Sequence, residues 1–191
     1  MKSKLSLIAL TLLATTACSG EPPPAPATVT VTPPSSVPKP PAGPDAKTVA
    51  WLDGVCGAVY GYMKASNDYA SKQRSGTEVT RGALKEDLRA RAGFAGKVVD
   101  DLTALPPSPI PGGDAVKKSL VDQYAAARDA ATAGEQRLEK SGNEAAMDAA
   151  IKAMEATQKP ITETPDLMPA LKIDTQDLMA AAAEAKKCVP A

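Results

Sequence analysis

Side chains that could do chemistry are sparse in this 191-residue sequence, which contains three cysteines and no histidine. The chain therefore lacks the usual general base of a serine or cysteine triad and the commonest ligand of transition metals. Asp100, Asp101 and Asp114 could line a carboxylate site, but adjacent acids on a helix point to different faces, which favours solvated charge. Gly112 and Gly113 could offer backbone amides to an anion, as every helix start does. There is no P-loop, no dinucleotide fingerprint and no CxxC pair. We expect that the protein has no catalytic residue, binds no metal or cofactor, and is not an enzyme.

The first cysteine, Cys18, follows a segment with the layout of a signal peptide. A lysine-bearing start precedes an apolar stretch over residues 5–13, and Cys18 follows at the distance of a cleavage site. The segment resembles the lipobox of bacterial lipoproteins, although Thr15 stands where leucine is usual. That resemblance implies a signal peptide over residues 1–17 and a diacylglycerol thioether, with further acylation, on Cys18. The alternative is an ordinary secretory signal that leaves Cys18 as a free thiol.

Either interpretation predicts export, and the lipid would supply the membrane attachment. The apolar segment is shorter than the roughly 20 residues that a membrane-spanning helix needs, whereas more than one acyl chain gives stable anchoring. We therefore expect a protein on the extracytoplasmic face of the cell membrane. Without the signal and its two lysines, the net charge is about −2, which gives no reason to expect nucleic acid as a partner.

Residues 18–44 carry the predicted lipid and then a tether rich in proline and threonine. Ten of the 18 prolines lie between residues 21 and 44, and this composition favours extended polyproline II geometry without a packed core. Such a tether reaches on the order of 70 Å, enough to act as a spacer through a cell-wall layer. A bare solvated linker is favoured over an O-glycosylated one.

From residue 45 to 191 the composition predicts one helical domain. Apolar residues recur at spacings of three and four, which is the helical period, and no stretch alternates over strand length. Asp45 and Asp114 are the expected caps of the first and third helices, and the fourth helix is expected to start near Asn143. The predicted helix ends are Ser75–Gly76, the prolines between residues 106 and 111, Ser141–Gly142 and Pro160.

The segment from Pro160 to Ile173 contains two further prolines, and we predict a bent loop or a single turn that lies on the domain. Thr175 then caps a last helix that is expected to reach Cys188. The predicted fold is all-α, an up-down-up-down four-helix bundle with a proline-broken fourth helix. An apolar cavity between its alanine-lined helices, with this loop as a lid, would suit a small ligand, but alanine seams leave little void.

The same topology pairs the two remaining cysteines. The start of the first helix and the end of the last lie at one end of such a bundle, which brings Cys56 and Cys188 together. Export permits disulfides, and removing a lipidated Cys18 leaves an even pair. We predict a Cys56–Cys188 disulfide; two free buried thiols are the alternative.

Trp51, Tyr62 and Tyr69 fall on one line of the first helix, about 90° from its apolar seam. They are candidate partner-binding residues, because exposed aromatic side chains often dominate the energy of interfaces. The alternative, which we favour, is that a helix with two neighbours needs a wide apolar arc.

The chain resembles the uncharacterised helical lipoproteins and small secreted proteins of actinobacteria. The resemblance rests on the lipobox-like start, the proline-rich tether, Trp51 to Cys56 opening the first helix, the connection from Leu105 to Gly113, and the C-terminal Cys188. It implies a cell-envelope location and no established activity. We expect a lipid-anchored, non-enzymatic domain that binds a protein partner in the envelope; the alternative is a carrier of a small apolar ligand in an inter-helix cavity.

Overall fold

The computed structural model describes residues 43–73, 80–163 and 166–188. These form α1 (Ala46–Gln73), α2 (Arg81–Ala104), α3 (Gly113–Lys140), α4 (Glu144–Thr162), α5 (Leu167–Ala170), α6 (Gln176–Glu184) and a 3₁₀ turn (Lys186–Cys188). No strand occurs in the described ranges, so the predicted all-α class is confirmed. Among these helices, none combines the length and the apolar character that crossing a membrane requires. The predicted break at Ser75–Gly76 falls outside the described residues.

Helices α1 and α2 run antiparallel. Near the start of α1, Gly54 lies against Leu105, the residue that follows α2. Near the end of α1, the rings of Tyr69 and Phe94 meet edge-on with centroids 5.9 Å apart. The first helix therefore begins where the second one ends.

Helices α2 and α3 are also antiparallel, and surface ion pairs join the first half of α2 to the end of α3. Lys85 Nζ lies 2.9 Å from Glu139 Oε1, and one turn further on Arg89 Nε lies 2.8 Å from Glu135 Oε1. Lys85 and then Arg89 hold the pKa of the Glu139 carboxyl below its usual value. Such exposed pairs add little stability, so the apolar face beneath them holds the two helices together.

Helix α4 returns along α3. Gly134 of α3 faces Ala153, and a Cβ on this glycine would lie only 2.7 Å from the Cβ of Ala153. Nearer the start of α3, Ala127 lines the same α3–α4 crevice as Pro160. The four long helices thus alternate in direction, and the predicted up-down-up-down helical bundle is confirmed.

Buried side chains form two clusters. The larger joins α1 to the second half of α2, the first half of α3 and the C-terminal elements, and it contains the buried Leu167, Leu171, Ala181 and Ala185. The smaller joins Leu84 and Leu88 to Ala131, Leu138, Ala146, Ala150 and Ala153. Because the second cluster is mostly alanine, α3 and α4 approach closely and leave little space between them.

Three of the predicted helix starts are confirmed by their hydrogen bonds. The Asp45 carboxylate accepts from the backbone N–H and the hydroxyl of Thr48 at 2.9 and 2.8 Å. The side chains of Asn143 and Thr175 each accept from an N–H three residues on, at 2.9 and 3.3 Å. These bonds satisfy backbone donors that have no partner within the helix.

The fourth helix does not stop at Pro160, as the sequence predicted, but continues to Thr162. Proline in this place loses one helical hydrogen bond and its ring crowds the carbonyl four residues earlier, and here the helix continues for only two more residues. The Glu163 N–H still donates to Lys159 O at 2.7 Å and closes the last turn. The expected single turn on the domain is α5, which buries Leu167.

The last helix ends at Glu184, four residues earlier than predicted. Ala185 is extended, with φ −72° and ψ 93°, and it redirects the chain into the 3₁₀ turn. The Lys187 N–H then donates to Asp53 Oδ1 at 2.8 Å. This change of direction carries Cys188 across to α1, which a continuing helix would not do.

Candidate functional site

One wall of the candidate site is the first turn and a half of α1. The cap at Asp45 fixes where the helix starts, so Lys47 and Ala50 lie exposed beside Trp51. The Trp51 ring is buried, with 2% of its surface exposed. Its indole N–H donates to the carbonyl oxygen of Pro106 at 3.3 Å, which joins α1 to the chain that follows α2.

The opposite wall is the proline-rich connection between α2 and α3. Leu105 leaves the helix in an extended conformation, and Pro106, Pro107 and Pro109 are exposed. Buried Ile110, with 3% of its surface exposed, anchors this connection in the larger core cluster. Apolar proline rings are thereby held at the surface by one buried side chain.

Ser108 and Asp114 fix the shape of this connection. The Ser108 hydroxyl accepts the Ile110 N–H at 3.0 Å, and the Ser108 N–H donates to Asp114 Oδ1 at 3.0 Å. That N–H first, and then Lys117, hold the pKa of the Asp114 carboxyl below its usual value of 3.8. Gly112 has φ 77°, a left-handed conformation that suits glycine, and directs the chain into α3.

The sequence prediction that Asp114 caps α3 is wrong. Gly112 occupies the cap position, α3 begins at Gly113, and Asp114 lies in the first turn. Its carboxylate is taken by the Ser108 N–H instead of a helix N–H. Gly113 is buried, and a Cβ there would collide with the Ser108 side chain, so the connection folds tightly over the start of the helix.

Between these two walls lies an open groove of about 470 Å³. We call it the Trp51 groove; it is lined by Lys47, Ala50, Trp51, Leu105, Pro106, Pro107 and Pro109. Its size is within the range of about 300–1,000 Å³ that is typical of ligand sites. These prolines were not among the site residues expected from the sequence. The sequence feature that could have indicated them is the run of prolines after α2, because an antiparallel α1–α2 pair must place those prolines beside Trp51.

The groove is lined by apolar residues and one lysine. Lys47 is its only charged lining residue, and the walls are otherwise apolar. Lys117 lies behind the connection, where its ammonium donates to Leu105 O at 3.3 Å and Pro106 O at 3.1 Å. Within the described ranges, no cluster of three or more potential metal ligands was found. An apolar surface with one cation at its rim is suited to holding a molecule.

The three aromatic residues predicted as a docking surface do not form one. Trp51 and Tyr62 are each only 2% exposed, and Tyr69 is half-buried against Phe94. Tyr62 packs edge-on against Tyr124, with centroids 5.0 Å apart, and its hydroxyl donates to the Thr157 carbonyl at 2.7 Å. Burial raises the pKa of both tyrosines. The wide apolar arc favoured by the sequence is therefore what α1 uses to pack in the core.

The disulfide between Cys56 and Cys188 is present, as predicted, with the two Cα atoms 4.8 Å apart. Cys56 is fully buried in α1 and Cys188 is half-buried in the 3₁₀ turn. Gly57 leaves room for this turn, since a Cβ there would lie 2.7 Å from Lys187 Cδ. The bond fastens the C-terminal turn to α1 about one turn beyond the groove.

Other residues singled out from the sequence have more ordinary places. Asp101 forms an ion pair with Lys97 at 2.8 Å, and Asp100 points away as an exposed neighbour. Asp114 is occupied by Ser108. The predicted signal peptide, lipidation at Cys18 and the tether through residue 42 lie outside the described residues. None of these carboxylates forms a catalytic pair.

No family model matches the chain, and no curated protein or solved structure matches it either.

Proposed function

We propose that this protein is a lipid-anchored protein of the cell envelope whose helical domain binds an envelope partner and catalyses no reaction. The observation that carries the binding role is the Trp51 groove, a preformed, largely apolar concavity at one end of the bundle. Its walls are fixed by hydrogen bonds from Trp51 and Ser108, so little ordering is required when a partner binds.

The groove supports binding over catalysis because of the groups that line it. A reaction needs a nucleophile, an acid or base, or an electrophile placed beside a reacting atom. The only titratable side chain in the lining is Lys47, which is exposed at the surface. No second acid or base stands beside it in the lining, so Lys47 offers a ligand a charge and forms no acid–base pair there.

The envelope location rests on the N-terminal sequence. Lipid on Cys18 would attach the chain to the extracytoplasmic face of the cell membrane, and residues 18–44 would hold the domain away from it. A disulfide as deeply placed as Cys56–Cys188 is compatible with an oxidising compartment. A tether of this kind raises the effective concentration of the domain near a partner fixed in the same envelope.

The test compares two substitutions of an exposed alanine by glutamate. Ala50→Glu places a carboxylate in the groove, whereas Ala145→Glu makes the same change at an exposed position of α4, away from the groove lining. Both variants should keep the helical circular dichroism and melting temperature of the wild type. Wild type and Ala145→Glu should retain the same cross-linked protein from an envelope extract, and Ala50→Glu should lose it by about tenfold or more. Equal recovery with all three proteins would contradict the groove as the contact.

A carrier of a small apolar ligand is the second candidate. The groove is large enough for one, and its position differs from the inter-helix cavity that the sequence suggested. A separate surface groove between α3 and α4, of about 300 Å³, is shallow and open, and it is lined by alanines, Gly134, Arg137 and Lys152. A carrier would thus also use the Trp51 groove.

A further inference from the structure

The backbone of the Trp51 groove has few N–H donors to offer a peptide. Pro106, Pro107 and Pro109 have no N–H to donate. The Pro106 carbonyl already accepts from the Trp51 indole at 3.3 Å and from Lys117 at 3.1 Å. An extended peptide in this groove would find few N–H donors for its own carbonyl groups, and an unpaired carbonyl is costly once water is excluded.

An alkyl chain has no such requirement. It makes only apolar contacts, and burial of each methylene contributes about 0.8 kcal/mol in the general case. The proline rings, Leu105 and Ala50 supply such contacts along the length of the groove. The composition of the walls therefore favours an aliphatic ligand over a peptide.

The charge at the rim of the groove determines which sign of charge a ligand's head group should carry. Lys47 is exposed and forms no ion pair with any described residue. The neighbouring Asp45 carboxylate accepts two hydrogen bonds from Thr48, which are the main cause of its lowered pKa, and the Lys47 charge makes a smaller contribution to that lowering. The Lys47 ammonium is thus the one charged group of the lining that is available to a ligand.

We propose that the Trp51 groove binds a single-chain anionic amphiphile, with its alkyl chain along Leu105 and the prolines and its head group at the Lys47 ammonium. This inference rests on the proposed function in taking the groove as the binding site. It adds the chemical class of the ligand, which is an aliphatic chain ending in a carboxylate or a comparable anion.

Trp51 makes the binding directly measurable, because it is the only tryptophan in the chain. Dodecanoate and dodecan-1-ol, each below its aggregation concentration, are titrated into the whole protein while Trp51 fluorescence is recorded. Dodecanoate should shift the emission saturably and bind more tightly than the alcohol. Lys47→Met should weaken dodecanoate binding by about two- to fivefold, the usual range for an exposed ion pair, and leave dodecan-1-ol unchanged. The control Lys152→Met, on the exposed face of α4, should change neither.

The outcomes separate this inference from the proposed function. Equal binding of the acid and the alcohol, or no effect of Lys47→Met, overturns the anionic head group. Failure of both probes to bind overturns the aliphatic ligand, while the cross-linked protein lost by Ala50→Glu would still support the proposed function. Binding of an acetylated leucine-rich pentapeptide more tightly than dodecanoate would also overturn the inference, because it would show that the groove accepts a peptide backbone.

Discussion

Replacing both disulfide cysteines, Cys56→Ala with Cys188→Ala, should strongly destabilise the domain. The bond joins residues separated by 132 positions. The chain-entropy model gives up to about 5 kcal/mol for closing a loop of this length. For a domain of this size, that loss corresponds to a fall in melting temperature of roughly 10 °C or more. Alanine is chosen because Cys56 is fully buried, where a serine hydroxyl would add a second penalty.

The loss should begin at the C-terminal segment. Besides the disulfide, α6 and the 3₁₀ turn are held on α1 by the small buried side chains of Ala181 and Ala185 and by the Lys187 N–H bond to Asp53. Hydrogen exchange should therefore become fast in α6 of the double variant, while the α2–α3 pair stays protected. Urea titration of the wild type with and without a reductant gives the same comparison without mutation. A change below about 1 kcal/mol in both experiments would refute the reasoning.

Three other predictions test separate parts of the structure. Gly134→Ala should lower the free energy of unfolding by about 1–3 kcal/mol through overpacking against Ala153. Gly93→Ala, where nothing lies within 4 Å, should raise the free energy of unfolding by roughly 1 kcal/mol. Equal changes in the free energy of unfolding for the two variants, measured by urea titration, would contradict this difference. Because the pKa of Asp114 is lowered, its stabilisation is present above about pH 4 and is lost as pH falls through that lowered pKa. Wild type should therefore melt at a higher temperature than Asp114→Asn at about pH 7, and this difference should shrink as the pH is lowered below about 4. Cys18→Ser should move the protein from the detergent phase to the aqueous phase, and unchanged partitioning would refute the anchor.

The bundle could be predicted from the sequence because each level of the chain agrees with the next. The apolar period of α1, the caps Asp45, Asn143 and Thr175, and the prolines after α2 all mark the same helices. The cysteine pairing followed from topology, since alternating helices return the C-terminus to the start of α1, together with the expected export and the even pair of cysteines left after Cys18. That prediction needed no side-chain detail.

The details that failed depend on tertiary contacts. Proline is treated as a helix end in sequence, yet Pro160 is buried in the last turn of α4, where packing outweighs one lost hydrogen bond. Asp114 has the residue type of a cap, but Ser108, six positions earlier, takes its carboxylate. The periodic pattern toward Cys188 could not show the extended Ala185, whose conformation is set by the chain's path back to α1.

The candidate site was predictable only in part. The position of Trp51 was noticed, but periodicity cannot tell an aromatic residue that packs in the core from one that faces a partner. Burial of Trp51 and Tyr62 is decided by what α2, α3 and α4 bring against them. The prolines were read as helix breakers, and their second effect, an apolar wall beside Trp51, becomes visible only when α1 and α2 are placed together.

The most direct test of the central claim, that the Trp51 groove is where this protein binds in the envelope, is site-specific photo-cross-linking in living cells. A photoreactive residue is placed at Pro107 in the groove or at Lys140, an exposed position at the end of α3. The account predicts a discrete adduct from Pro107, absent from Lys140 and lost when Ala50→Glu is added. The same adducts from both positions, or none from Pro107 while another face of the bundle gives one, would contradict it.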